Sequence, residues 1–89
     1  MNTRELEKML KILASKRRLD IIKHLKSGKK MPLNDIAKEI KLSRKSTSKH
    51  LRILYSAGFI EREFIGLEVY YNLASIDNKI SRFVINAIK

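Results

Sequence analysis

The stretch from Asn34 to Leu54 limits the fold more than any other part of the chain. Ile36, Ala37 and Ile40 share one face of a short helix that runs from Asn34 to about Lys41. Leu42-Ser43 then breaks the helical period. Ser43 is suited to cap a second helix, Arg44 to Ala57, which Gly58 closes. A short helix, a brief break and a capped second helix predict a helix-turn-helix. Two such helices cross closely only where a contact residue is small, and Ala37 is that residue.

The second helix has two unlike faces. At about 100° per residue, with Arg44 set to 0°, Ser48 lies near 40°, Arg52 near 80°, Lys45 near 100° and Lys49 near 140°. Thr47, His50, Leu51 and Leu54 fall between about 240° and 340°. One side is therefore hydroxyl and cation, and the other is shaped for packing. The polar side suits the major groove of double-stranded DNA, about 12 Å wide, where Arg, Lys and Ser meet base edges and a carboxylate would meet phosphate. For an isolated amphipathic helix a solvated face is the plainer reading, and the helix-turn-helix setting reverses that preference.

Charge distribution points the same way. The chain has 89 residues and a formal net charge of +11. Acids are interleaved at both ends, but none occurs between Glu39 and Glu61, a window that holds Lys41, Arg44, Lys45, Lys49, His50 and Arg52. A one-signed stretch calls for an anionic partner, either nucleic acid or a membrane surface. No apolar run approaches the roughly 18 residues that span a bilayer, and the helix-turn-helix setting of the charge favours nucleic acid, so no membrane partner is expected. The N-terminus mixes Arg4, Glu5, Glu7 and Lys8 with apolar residues, unlike a signal peptide, which predicts a cytoplasmic protein. The absence of Cys excludes disulfide scaffolds, Cys-based zinc sites and thiol nucleophiles. No Ser/His/Asp set or Gly-rich phosphate loop stands out, so no enzymatic activity is expected.

The remaining segments fill out a mainly α chain with a small β-hairpin. A helix is predicted from Asn2 to Ala14, capped by Asn2 or Thr3, with Leu6, Met9, Leu10 and Leu13 on one face. A second runs from Lys16 to Lys26, capped by Ser15, with Leu19, Ile22 and Leu25 as its stripe. Pro32 makes the residues before it an extended connector. Phe59 to Ile65 and Glu68 to Leu73 flank Gly66-Leu67 and read as a hairpin. From Asp77 onward Ile80, Phe83, Val84 and Ala87 return to helical spacing. The predicted order is α-α-α-α-β-β-α within a single domain, residues 1–89.

So short a chain cannot easily bury Leu6, Met9, Leu10 and Leu13 together with Ile76, Ile80, Phe83, Val84, Ala87 and Ile88 in one core. Apolar faces of that size mark an interface. Residues 3–14 and 76–88 are therefore predicted to be dimerisation helices. A two-fold pair would set two recognition helices about 34 Å apart on one face of DNA.

From Leu10 to Leu73 the chain resembles the ArsR-type winged helix-turn-helix transcriptional repressors. The resemblance is carried by Leu13-Ala14-Ser15-Lys16-Arg17-Arg18-Leu19-Asp20-Ile21-Ile22 and by the stretch from Leu42 through Ser43-Arg44-Lys45-Ser46-Thr47-Ser48-Lys49-His50-Leu51 to Leu54. Ala57-Gly58-Phe59-Ile60 and Val69-Tyr70-Tyr71-Asn72-Leu73 complete it without gaps. It implies a winged helix-turn-helix fold and a cytoplasmic homodimer, built on the first and last helices, that binds a palindromic operator and represses transcription. Arg44, Lys45, Ser46, Ser48 and Lys49 would then approach bases, while Lys41, Ser43, Arg52 and Arg62 would hold phosphates.

Departures from the family pattern matter too. The metal-sensing branch carries a Cys-x-Cys pair where this chain has Pro32 and Asn34, and other branches place His and carboxylates on the last helix, where this chain offers only Asp77 and no His. No metal or other cofactor is expected, and an effector would be a small molecule or another protein. Family wings often carry a cation at the tip, whereas this one reads Ile65-Gly66-Leu67-Glu68, and Arg62 is the only cation of the hairpin. Little DNA affinity is expected from the wing. His24 reads as a surface or half-buried residue, and His50 as a packing or hydrogen-bonding group. Of Tyr70 and Tyr71, one should face inward. Two further functions remain open: an architectural, chromatin-like protein coating DNA with little sequence preference, favoured by Lys16, Arg17, Arg18, Lys23, Lys26, Lys29 and Lys30, and a winged-helix protein-interaction module.

Overall fold

Local capping divides the chain into helices much as the sequence suggests. The computed structural model describes residues 1–74 and 79–89. Helix α1 spans Thr3–Leu13, and the Asn2 side chain accepts the Glu5 N–H at 2.8 Å. Helix α2, Lys16–Leu25, starts on Ser15, whose Oγ accepts the Arg18 N–H at 3.3 Å. Helix α3 covers Leu33–Ile40 and α4 covers Arg44–Ser56, with Ser43 Oγ accepting the Ser46 N–H at 3.1 Å. Each cap satisfies a donor that the first turn of a helix leaves without an internal partner.

The turn between α3 and α4 closes in an unusual way. Lys41 takes φ 55°, the left-handed region that glycine normally fills. Its N–H bonds to the Lys38 carbonyl at 3.2 Å, and the Leu42 N–H reaches back to the Ala37 carbonyl at 3.0 Å. This is the Schellman arrangement, with Leu42 as its apolar clasp. A lysine there costs about 1–2 kcal/mol against glycine.

After α4 the chain forms a hairpin of β2, Ile60–Ile65, and β3, Glu68–Leu73, paired from Ile60↔Leu73 to Ile65↔Glu68. Gly66, at φ 64°, occupies the first of the two turn positions, where a side chain would be strained. The connector before α3 is more than extended backbone. Met31–Pro32 forms a short strand, β1, paired antiparallel with β3 (Met31↔Tyr71, Pro32↔Tyr70), so the sheet order is β1-β3-β2. The predicted order thus gains one strand. Its partner lies some forty residues away, where no local pattern announces it.

Helix α5 spans Lys79–Ala87. Ile76, expected at the dimer interface, and Asp77, expected to open the last helix, lie outside the described residues. One core joins the elements: Ile21, Ile22 and Leu25 from α2, Ile36 and Ile40 from α3, Leu51 and Leu54 from α4, and Phe59 and Ile60 from the start of the hairpin. In α2 the buried stripe includes Ile21, while Leu19 is only half-buried. That helix packs against α1, α3, α4 and β3, so its buried arc is wider than a single face. Tyr71 packs against the core, the inward member of the tyrosine pair.

Candidate nucleic-acid interface

Packing decides which face of α4 is left for a partner. Thr47, Leu51 and Leu54 are fully buried, at i, i+4 and i+7, and fix the helix to the core. Arg44, Lys45, Lys49 and Arg52 on the opposite side are exposed, and Ser46 and Ser48 are half-buried beside them. Ala37 is 5% exposed, which lets α3 and α4 approach closely. Beside the start of α4, Asn34, Ala37, Lys38, Lys41, Leu42, Ser43 and Arg44 line an open groove of about 620 Å³. Lys41 and Ser43 thus adjoin the cationic face of α4.

Electrostatics make this face unusual. The first turn of α4 carries no acid, although the positive end of a helix dipole favours one. Among the described residues, the ion pairs lie elsewhere: Lys16 with Asp20 at 2.9 Å, Lys30 with Glu63, and His24 Nδ1 at 3.9 Å from Glu39. No described hydrogen bond or ion pair ties up the side chains of Lys41, Arg44, Lys45, Lys49 or Arg52. Lys41, Arg44 and Lys45 therefore gather at a positive helix end and Lys49 and Arg52 follow along the same helix, none of them in a described ion pair.

Basic residues elsewhere are placed differently. Arg17 Nη1 donates to the Ile40 carbonyl at the end of α3 at 2.5 Å. Arg18 Nη1 donates to the Ile12 carbonyl near the end of α1 at 2.9 Å, and its Nε to His50 Nδ1 at 3.3 Å. Lys26 Nζ bonds to the Ile88 carbonyl at 2.6 Å. Four of the seven cations that favoured a DNA-coating reading, namely Arg17, Arg18, Lys26 and Lys30, are thus held by far parts of the chain. Because Arg18 can only donate, His50 Nδ1 is an acceptor and the imidazole proton sits on Nε2. Burial, then Arg18, Lys49 and Arg17, push the His50 pKa below its usual 6.5. Sequence reading gave His50 a packing or hydrogen-bonding role but did not name Arg18 as its partner, since 32 positions separate them.

The hairpin departs from the charged face. Phe64 is 76% exposed, Ile65 46% and Leu67 fully exposed. Arg62 lies over the Tyr55 ring, 4.1 Å from its centroid. Tyr55 is eleven residues past Arg44, or about 16 Å along the helix, so Arg62 lies apart from Lys41 and Ser43 and nearest, of the predicted phosphate contacts on α4, to Arg52 one turn before Tyr55. Glu68 raises the pKa of the neighbouring Tyr70 hydroxyl. The wing tip still adjoins the start of α4. Leu67, Glu68 and Val69 share a cleft of about 250 Å³ with Asn34 and Arg44.

On the side predicted for dimerisation, Leu10 is 49% and Phe83 72% exposed, and Ala87 is exposed as well. Leu6 is half-buried, while Met9, Ile80, Val84 and Ile88 are half-buried against the protomer's own core. Leu13 needs correcting as an interface residue. At 5% exposure it belongs to the core, because α2 and the start of the hairpin close over it. Among the described residues no three of His, Cys, Asp and Glu converge as metal ligands would, and no helix is long and apolar enough to cross a membrane.

Comparison with known proteins agrees with this geometry. Residues 13–63 match the family model described as a helix-turn-helix domain. No curated protein matches the chain. Among solved structures, the transcriptional repressor PagR of Bacillus anthracis is 26% identical, with 97% of this chain and 94% of that one covered and a TM-score of 0.76. The homodimeric winged helix-turn-helix DNA-binding domain Mb0332 of Mycobacterium bovis is 25% identical, over 94% and 75% of the two chains, at a TM-score of 0.79. Reduced HlyU of Vibrio cholerae, 23% identical over 97% and 86%, shares the fold at a TM-score of 0.81.

Proposed function

The chain belongs to the helix-turn-helix domain family in its ArsR-type winged form, a family of DNA-binding transcription regulators, and we propose that it acts as a dimeric repressor reading a two-fold operator in the cytoplasm. The observation that carries this reading is the set of five cations at the start of α4 and along it, with no described ion pair or side-chain hydrogen bond of their own. Duplex DNA supplies what they lack, and α4 is narrow enough for the major groove. Arg44, Lys45, Ser46, Ser48 and Lys49 read or approach bases, and Lys41, Ser43 and Arg52 hold phosphate. Arg62, stacked on Tyr55, contributes less.

Dimerisation rests on the exposed parts of α1 and α5, chiefly Leu6, Leu10, Phe83 and Ala87. The homodimeric state of Mb0332 supports it. All 89 residues then act as one unit, with reading helices held about one DNA turn apart. Any effector is a small molecule or a protein.

Sequence selection from a random duplex pool, followed by a salt series on selected and random duplexes, tests the reading. A repressor keeps a specificity ratio of about 10³ or more. A coating protein instead gives a steep salt slope and almost no ratio. One observation favours a second reading, a protein-interaction module: Phe64, Ile65 and Leu67 form an apolar tip beside Glu68. On that reading Leu67→Asp abolishes partner capture and DNA binding is negligible throughout.

A further inference from the structure

Two adjacent arginines at the start of α2 reach the ends of two other helices. Arg17 takes the Ile40 carbonyl of α3, and Arg18 takes the Ile12 carbonyl of α1 while its Nε meets His50 on α4. The last carbonyls of a helix have no internal partner and form the negative end of its dipole, so a guanidinium suits them. Arg18 alone spans three helices. It runs from the dimerisation helix α1, through its own α2, to the reading helix α4. In a dimer built on α1 and α5, the separation and tilt of the two α4 helices depend on the angle between α1 and α4.

Resting on the repressor reading above, we propose that Arg18 and His50 are positioning residues, a link that fixes the reading helix against the end of α1 and opens when His50 takes a proton. The chemistry is one-sided. Nδ1 accepts from Arg18 only while the imidazole is neutral, and an imidazolium has no lone pair to offer. It would also set a cation against Arg18 and Arg17 from α2 and Lys49 from α4, the charges that reach it. The α1 surface beside Arg18 adds Arg4, Lys8 and Lys11, with Glu7 the single acid there. Among the described residues, every charge that reaches the ring opposes the proton. The link is therefore closed at neutral pH and opens on acidification, freeing α4 to shift relative to α1. A lysine at position 18 could not serve, since only the planar guanidinium fork meets two acceptors in fixed directions.

The test measures affinity of the full-length dimer for its pool-selected duplex and for a random duplex, between about pH 7.5 and pH 5. The ratio is the readout, because one more cation near α4 raises affinity for any DNA. Wild type is expected to lose about tenfold in ratio on acidification, the usual scale of coupling between linked sites. His50→Gln, whose amide oxygen still accepts from Arg18, should hold its ratio across the range. Arg18→Lys should show the lowered ratio already at neutral pH while remaining a folded dimer by circular dichroism and sedimentation. An unchanged wild-type ratio, at a pH where imidazole ¹⁵N shifts show His50 protonated, overturns the proposal. So does an unchanged ratio in Arg18→Lys. If no duplex is selected, the repressor reading fails, and the link is judged on the free protein. Residual dipolar couplings must then show the α1–α4 angle change as His50 titrates, and a constant angle refutes it.

Discussion

Two stretches of this chain share one local grammar and end in opposite roles. Ser15-Lys16-Arg17-Arg18 opens α2 and Ser43-Arg44-Lys45-Ser46 opens α4. Each serine caps its helix, each first turn lacks an acid, and each brings cations to the positive end of a helix dipole. In α2 the arginines are compensated from outside, by the carbonyl ends of α1 and α3 and by His50. In α4 no described ion pair or hydrogen bond takes up the side chain of Arg44 or Lys45, and Arg44 lines the open groove beside Lys41. The comparison teaches that the number of cations says little about nucleic-acid binding. What matters is whether the fold has already given them an anion or a carbonyl.

The largest effect should come from reversing the free pair. Arg44→Glu with Lys45→Glu is expected to weaken binding to any duplex by more than about 3 kcal/mol, or over roughly 100-fold. Its melting temperature should hold or rise, because acids suit a helix N-terminus. Fluorescence anisotropy and a thermal melt check both; a sharp loss of stability would mean that these residues, like Arg17, hold the fold. Arg17→Ala should do the reverse. Removing a charged donor from the Ile40 carbonyl is expected to cost about 1–3 kcal/mol in urea unfolding, with the salt slope of DNA binding nearly unchanged.

Lys41 lies between the two cases and separates them within one residue. Lys41→Gly relieves the left-handed backbone and should stabilise the chain by about 1 kcal/mol. The same change should lower the slope of log affinity against log salt by about one phosphate contact. Equal slopes in wild type and variant would remove Lys41 from the DNA-holding set.

The smallest expected effect is one of pH on stability. Folding depresses the His50 pKa, so below about 6.5 the unfolded chain binds a proton that the folded chain refuses. The stability owed to neutral His50 is complete above that pH and declines as pH falls toward the folded value. Urea midpoints should therefore drop on acidification from about pH 6.5, and His50→Gln should flatten that part of the curve. Carboxylate titration begins lower and leaves the window readable.

Much of this was legible along the chain, for reasons visible in particular residues. Asn2, Ser15 and Ser43 announce helix starts because a cap acts within three residues of itself. Gly66-Leu67 announces the hairpin because a two-residue turn needs a residue free to take positive φ. The polar face of α4 follows from helical period alone. Leu13 was misjudged because an apolar stripe on α1 does not say which of its members α2 will cover. The β1–β3 pairing, the Arg17–Ile40 bond and the Arg18–His50 bond were not legible, since each joins residues far apart in the chain, and the stacking of Arg62 on Tyr55 was not, since it depends on how the hairpin folds back on α4.

The sequence by itself determined the helix-turn-helix, the wing and the one-signed face of α4, because capping, turn geometry and periodicity act over a few residues. Tertiary structure alone decided which cations remain available. A guanidinium is indifferent to whether a helix end or a phosphate satisfies it, and only packing brings the ends of α1 and α3 within reach of α2 while leaving the start of α4 open.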